Sequence, residues 1–353
     1  LTLQAGIIPH FMRIRKILLL LLLLVLLIGG FAAYKIIGPA TRKPADGFLY
    51  IPTGSTMADV KRLLVEQKVV SSTYWFSLTA RAVGYDRVKP GKYAVPSGTS
   101  MLTLVRKLNN GRQSPVEFVI TKLRTKESLA GKVGRQFECD SLAFINFINS
   151  PDSLSRFNLD TNTVMAAVMP YNYELKWTTT PGHIMEQFEA AYKRFWTDER
   201  KAKATDQGLS PMQVMILASI VEEESNDAED RLKIASTYIN RYKKGMLLQA
   251  DPTVKFALKD FALRRILFGH LKAVSPYNTY LNKGLPPGPI CTPSQQAIES
   301  VLNAPKTEYI YFVASAKFDG SHIFTTNYED HMKYAREFQA ELTRRQNARK
   351  NAP

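Results

Sequence analysis

The segment LASIVEEESN, Leu217 to Asn226, drives an apolar helical pattern straight into three consecutive glutamates. Carboxylates oppose the negative end of a helix macrodipole, so a cluster there calls for a reason. A carboxyl group that titrates near neutrality can donate a proton and take it back, which is general acid–base chemistry. Ser210 as N-cap, Pro211 at the first helical position and Gln213 completing a capping box fix where this helix starts. With Val214 as zero and 100° per residue, Ile220, Glu224 and Leu217 fall at about 240°, 280° and 300°, on one apolar stripe. Glu223 and Glu222 fall at about 180° and 80°, outside it. A glutamate on a core-facing line loses hydration in its ionised form, so its pKa rises and it stays protonated near neutral pH. Ser225 beside it either orients that carboxyl or simply caps the helix. The competing reading makes all three glutamates solvated charges at a fraying end. Periodicity argues against it for Glu224 and keeps it for Glu222 and Glu223.

Further along, Gln249, Asp251 and Thr253 bring together hydrogen-bonding side chains suited to sugar hydroxyls. The same Asp251-Pro252-Thr253 also reads as a plain turn before another helix. SPYNTYLNKGLPPGPICTP, Ser275 to Pro293, sets Tyr277 beside Asn278, a flat face next to an amide, as a carbohydrate cleft does. An ordered loop with inward-packed tyrosines fits these residues equally. Cys139 and Cys291 match no metal spacing and are either free thiols or a single disulfide.

These residues need elements to hold them, and the pattern is α+β. IPTGSTMADVKRLL from Ile51 resembles VPSGTSMLTLVRKL from Val95, a weak internal repeat with matching Pro, Gly and Met offsets. Each half reads as a strand, a Gly turn, a Ser/Thr cap and an amphipathic helix, with Val60 and Leu64 answered by Leu104 and Leu108. Between them TYWFSLTARAVG reads as a helix and KPGKYAVP as a turn and strand, and Asn110-Gly111 ends the second repeat helix. The resulting small module, 46–118, is either a spacer or a surface-binding unit. A larger α+β domain follows over 119–343, with a basic tail at 344–353. In it VEFVIT reads as a strand, with helices near Lys126–Gln136 and Asp140–Ile148 and a long charged helix from His183 to about Ala204. TEYIYFVAS reads as a buried strand, and SHIFTTNYEDHMKYA as a short strand and closing helix.

The chain of 353 residues has room for two or three domains and carries 47 basic against 31 acidic residues, a net +16. Nucleic acid, anionic lipid and anionic polymer are the usual partners of such a surface. No zinc-finger spacing, basic-helix array or RNA-binding aromatic signature is present, which sets nucleic acid aside. Ile17 to Ala33 is an unbroken apolar run, and Tyr34-Lys35-Ile36-Ile37 reads as its interfacial exit. No A-x-A cleavage pattern follows, so 17–37 reads as an uncleaved transmembrane anchor rather than a signal peptide. Arg13, Arg15 and Lys16 precede it, which favours a cytoplasmic 1–16 and an extracytoplasmic body beyond a linker at 38–45. Met12 makes a natural start, the residues before it being incidental.

ASIVEEES, YINRYKKGMLLQADPTV, SPYNTYLNKGLPPGPICTP and YIYFVAS with HIFTTNYEDH, in that order, resemble the endolytic murein transglycosylases of the MltG, YceG-like type. The likeness spans nearly all the chain after the anchor. The repeat module is similar to the LysM-like domain that precedes catalysis in that family. Glu223 stands where a lysine is common and Ser225 where a threonine is common, while MPYNYELKW only loosely resembles the family's Pro-Asp-Thr-Tyr passage. The resemblance implies an inner-membrane enzyme that cleaves the MurNAc-β-1,4-GlcNAc bond of peptidoglycan glycan strands, leaving 1,6-anhydro-MurNAc ends. It makes Glu224 the catalytic acid and base, with Gln249, Asp251, Tyr277, Asn278 and Ser225 as substrate contacts. It implies penicillin-binding synthases as partners and no metal or organic cofactor. A hydrolytic muramidase and a non-catalytic peptidoglycan-binding protein are the rival readings.

Overall fold

The computed structural model describes residues 8–350, so the ends of the expected N-terminal segment (1–7) and basic tail (351–353) lie outside the described residues. The architecture is mixed α+β and divides into two compact units, one running to Val116 and taking in Leu175–Thr178, the other formed by the rest.

The first unit opens with α1 (Ile8–Ile37). Its stretch Arg13–Ile37 is 25 residues long, with a mean hydropathy of 2.9 and none of its most apolar window buried, long and apolar enough to cross a membrane. Beyond it lie β1 (Phe48–Ile51), α2 (Met57–Glu66), α3 (Tyr74–Val83), β2 (Gly91–Ala94) and α4 (Met101–Asn110). β1 and β2 pair antiparallel, Phe48 opposite Ala94 and Ile51 opposite Gly91. The sequence repeat has a structural counterpart. Gly54 and Gly98, at equivalent offsets, turn the chain with φ of 81° and 79°. Thr56 then caps α2 in a capping box with Asp59, and Ser100 caps α4. Val60, Leu64, Leu104 and Leu108 all point into one core with Phe76 and Tyr93.

The second unit contains β3 (Val116–Val119), α5 (Lys126–Gln136), α6 (Ser141–Asn149), α7 (Pro151–Ser155), β4 (Asn172–Leu175), α8 (Pro181–Phe195) and α9 (Asp198–Asp206). It continues through α10 (Pro211–Glu224), α11 (Ala228–Lys243), α12 (Asp251–Leu258), α13 (Gln295–Leu302), β5 (Tyr311–Ala314), β6 (His322–Thr325) and α14 (Tyr328–Lys350). β3 pairs with β4, and β5 with β6 as an antiparallel hairpin. α10 is the central helix, packed by α9, α11, α12 and α13. Ser210 and Gln213 form the expected capping box, with Pro211 in the first turn. Every residue from Val214 to Val221 is buried, so α10 is enclosed on all sides rather than along one stripe.

Two expectations need correction, and the alternative left open for the cysteines is resolved. The long helix from His183 is two helices, broken at Trp196, because Thr197 caps a new start whose first turn carries Asp198 and Glu199. The strand in TEYIYFVAS is half-buried along its length, since it belongs to a two-stranded hairpin rather than a sheet covered on both faces. Both cysteines are free thiols, Cys291 being buried and Cys139 partly so.

Candidate active site

The three glutamates leave the end of α10 in three directions. Glu222 accepts the Ser294 hydroxyl hydrogen at 2.5 Å and lies 4.0 Å from Arg231, which ties α10 to the cap of α13. Glu223 accepts two hydrogen bonds from the Arg124 guanidinium, at 3.0 and 2.8 Å, and sits 3.3 Å from Lys122. Burial alone would push the Glu223 carboxyl up, but Arg124 and Lys122 outweigh it and hold it below the usual range. The side chains of both are largely covered, at 10% and 15% exposure, so neither is the solvated charge the helical period suggested. The period fails for them because α10 has no solvent face along its buried stretch. These partners also supply the positive charge and donors that a helix C-terminus lacks.

Glu224 forms no ion pair among the described residues. It accepts the Tyr238 hydroxyl hydrogen at 2.5 Å, from the middle of α11. Burial pushes its carboxyl up to about 7, with Asp251 and Glu223 adding repulsion, while the Tyr238 hydrogen bond and Lys255 pull the other way. Such a group is part acid and part carboxylate at neutral pH, as a proton donor that must later accept requires.

Glu224 lines a polar cleft of about 310 Å³ together with Tyr238, Arg241, Gln249, Asp251, Tyr280, Phe312, His322 and His331. It also borders a second cavity, of about 650 Å³, lined by Ser225, Asn226, Asp227, Asp319, Gly320 and Ser321. Open space therefore extends away from the carboxyl toward both sets of residues.

The cleft wall is rigidly built. Arg241 donates to the carbonyls of Ile310 at 2.6 Å and Leu248 at 2.7 Å, and to the Gln249 side chain at 3.3 Å. Gln249 has φ 55°, a left-handed conformation costing an L-residue roughly 1–2 kcal/mol, and its N–H donates to the Thr279 carbonyl at 3.1 Å. Asp251 opens α12 and accepts the Tyr280 hydroxyl hydrogen at 2.7 Å. His322, also on the cleft, pairs through Nδ1 with buried Asp230 at 2.8 Å. His331 stacks on Tyr311 with its Nδ1 buried and unpartnered among the described residues, and burial pulls its imidazole pKa down.

The structure thus brings Gln249 and Asp251 to Glu224 but treats the other sequence candidates differently. Ser225 is the C-cap residue of α10, and its hydroxyl accepts the Asp227 N–H at 3.1 Å. Asn278 is wholly buried and spends its amide on the carbonyls of Leu271 at 2.9 Å and Ala273 at 2.8 Å, so it pins a loop instead of facing a ligand. Tyr277 packs on Phe256 at 4.6 Å between ring centres and borders a different pocket. Of the tyrosines in this loop, Tyr280 is the one that lines the cleft. Tyr238, Arg241, Phe312, His322 and His331 carry no local pattern that marks them, although all five lie in the quoted stretches YINRYKKG, YIYFVAS and HIFTTNYEDH. No cluster of three or more His, Cys, Asp or Glu able to hold a metal ion occurs among the described residues.

Comparison with known proteins agrees with this architecture. The family model described as the YceG-like family matches residues 49–337, a span that contains the whole cleft. The chain is similar to the endolytic murein transglycosylase of Bacillus subtilis, 28% identical over 301 residues that cover 80% of this chain and 82% of that protein. It is similar to the endolytic murein transglycosylase of Streptococcus pneumoniae, 27% identical over 315 residues, covering 80% of this chain but 56% of that longer protein. A crystal structure of a yceG-like protein from Listeria monocytogenes matches with a TM-score of 0.52 at 26% identity, over 81% of this chain and 97% of that one. With four-fifths of its length matched in sequence and in fold, this chain belongs to the YceG-like family.

Proposed function

We propose that this protein is an endolytic lytic transglycosylase acting on peptidoglycan glycan strands, with Glu224 as its acid and base. The observation that carries the reading is Glu224 itself, a carboxyl raised to about 7 on the wall of an open polar cleft. Protonated Glu224 donates to the glycosidic oxygen as the bond from MurNAc C1 breaks, and the GlcNAc half leaves as an alcohol. The substrate's own acetamido oxygen supports C1 meanwhile, as in glycosidases that work without a second carboxylate. The Glu224 carboxylate then takes the proton from the C6 hydroxyl, O6 closes on C1, and the anhydro ring forms without consuming water. Tyr238 steadies the carboxylate between the two transfers, and Gln249, Asp251 and Tyr280 offer hydrogen bonds to sugar hydroxyls. Glu224 borders two separate cavities, and room beyond a single sugar site suits a strand cut within its length.

The apolar Arg13–Ile37 helix supports a single-pass anchor, with the basic residues before it inside the cell and the body outside. The small unit, with its doubled strand–turn–helix, is read as a LysM-like glycan-binding module. The net charge of +16 suits an anionic membrane surface and carboxylate-bearing polymer. Release of nascent strands near the membrane would make the penicillin-binding synthases natural partners. Asp251 on the same cleft favours one alternative, hydrolysis with a second carboxylate. Mass spectrometry of glycan digests separates them, since anhydro ends lack the one water that reducing ends carry. Anhydro products from the wild type and none from Glu224→Gln are expected; reducing ends would favour the muramidase, and undiminished release by Glu224→Gln would end both readings.

A further inference from the structure

A third cavity, of about 200 Å³, is left unused by the chemistry above and explains where Tyr277 belongs. Its floor is aromatic: Phe256 packs on Tyr277 at 4.6 Å and on Phe261 at 6.3 Å between ring centres. Its rim is cationic, with Lys126, Lys259 and Arg124, and one acid, Glu127. Lys126 donates to the Asn149 side chain at 2.5 Å and to the Thr161 carbonyl at 3.0 Å, which holds the ammonium in place with a third N–H to give. Lys259 is the C-cap of α12 with φ 54°, a position where glycine is the usual residue. Lys259 and Lys126 both lower the pKa of Glu127, so one carboxylate faces two ammonium groups and the cavity keeps an excess of positive charge beside a strained backbone position.

The cavity is coupled to the Glu224 cleft by α12, which carries Asp251 at one end and Phe256 and Lys259 at the other. From Asp251 to Lys259 is roughly 12 Å at the helical rise. Three or four extended peptide residues cover roughly 10–14 Å. Arg124 makes a second link, because it borders this cavity and grips Glu223, the neighbour of Glu224.

We propose that this cavity is a subsite for the acidic peptide attached to the glycan strand, with a carboxylate held by Lys259 and Lys126 and a small apolar side chain set against Phe256, Phe261 and Tyr277. The proposal rests on the glycan-strand reading above. A second carboxylate balances the positive charge that Glu127 leaves over, and the aromatic rings cover an alanine-sized group.

The test uses the full chain in detergent and the probe N-acetyl-L-Ala-γ-D-Glu-L-Lys-D-Ala, with binding followed by calorimetry. Saturable binding that weakens at least fivefold in Lys259→Glu, and likewise when the probe's C-terminal carboxylate is esterified, is expected. In parallel, initial cleavage rates are compared on strands with and without their peptides. The wild type should prefer peptide-bearing strands, and Lys259→Glu should bring that ratio toward one. Absence of probe binding, or equal binding by wild type and Lys259→Glu, overturns the subsite. Probe binding with the expected Lys259 dependence but no strand cleavage would uphold the subsite and refute the transglycosylase reading, so the two failures are distinct.

Discussion

Replacing Glu224 by Gln should abolish activity and, at the same time, stabilise the protein in a pH-dependent way. The amide keeps the size of the side chain and still accepts the Tyr238 hydroxyl hydrogen, so packing is little disturbed. The carboxyl it replaces is raised from 4.5 to about 7 in the folded chain, chiefly by burial. Between those values the folded state holds more protons than the unfolded state, so stability falls as pH rises. The contribution is fully present below about 4.5 and gone above about 7. At ~1.4 kcal/mol per pKa unit the full effect is about 3 kcal/mol, and the solvent that enters the cleft reduces it to about 1–3 kcal/mol. Glu224→Gln carries no such penalty. At pH 8 its second unit should therefore melt roughly 3–10 °C above wild type, and at pH 4 the difference should vanish. Thermal melts of the two proteins across that range, beside digests of glycan strands, make the assay. Loss of activity should reach at least about 10³-fold, the upper part of what general acid–base catalysis supplies. A variant less stable than wild type at pH 8, or equally stabilised at pH 4 and pH 8, would refute the claim that a desolvated carboxyl sits at this site.

Other perturbations separate the roles further. Tyr238→Phe removes a hydrogen bond that favours the carboxylate, so the Glu224 pKa should climb and the alkaline limb of the pH–rate profile should move up by about one unit. A limb that moves down would contradict that assignment. Glu223→Gln leaves Arg124 and Lys122 facing a neutral amide; denaturant melts should show a loss of about 1–3 kcal/mol, while activity at pH 6 stays within about tenfold. Leu64→Ala opens the fully buried core of the small unit and should cost about 2–5 kcal/mol, seen as a lowered transition for that unit with the Glu224 cleft still active.

Local signals carried much of the fold. The capping box of Ser210 and Gln213, the caps Thr56 and Ser100 and the left-handed Gly111 are written in neighbouring residues and are found where the sequence puts them. The break at Trp196 was equally legible, since Thr197 followed by Asp198 and Glu199 is a helix start in its own right. The site was legible only in part. Helical phase selected Glu224 among its neighbours, but its premise of one apolar stripe does not hold for a helix buried all round. What separates the three carboxyls is the partner each meets, Ser294, Arg124 or Tyr238, and those partners come from segments whose arrival no local pattern announces. Asn278 and Tyr280 show the same limit, because a shift of two residues in one polar loop exchanges a structural pin for a cleft wall.

The end of α10 is also a junction in time. Glu222 meets Ser294 across 72 residues, Glu223 meets Arg124 across 99, and Glu224 meets Tyr238 across only 14. Contacts across long loops cost more chain entropy and close late in folding. Until they close, Glu224 is an ordinary solvated glutamate, almost wholly ionised at neutral pH and useless as a donor. A chain newly delivered to its destination would therefore carry no working acid until the whole second unit has assembled. If Glu224 is the acid, as proposed above, completion of the fold is itself the safeguard that arms the site.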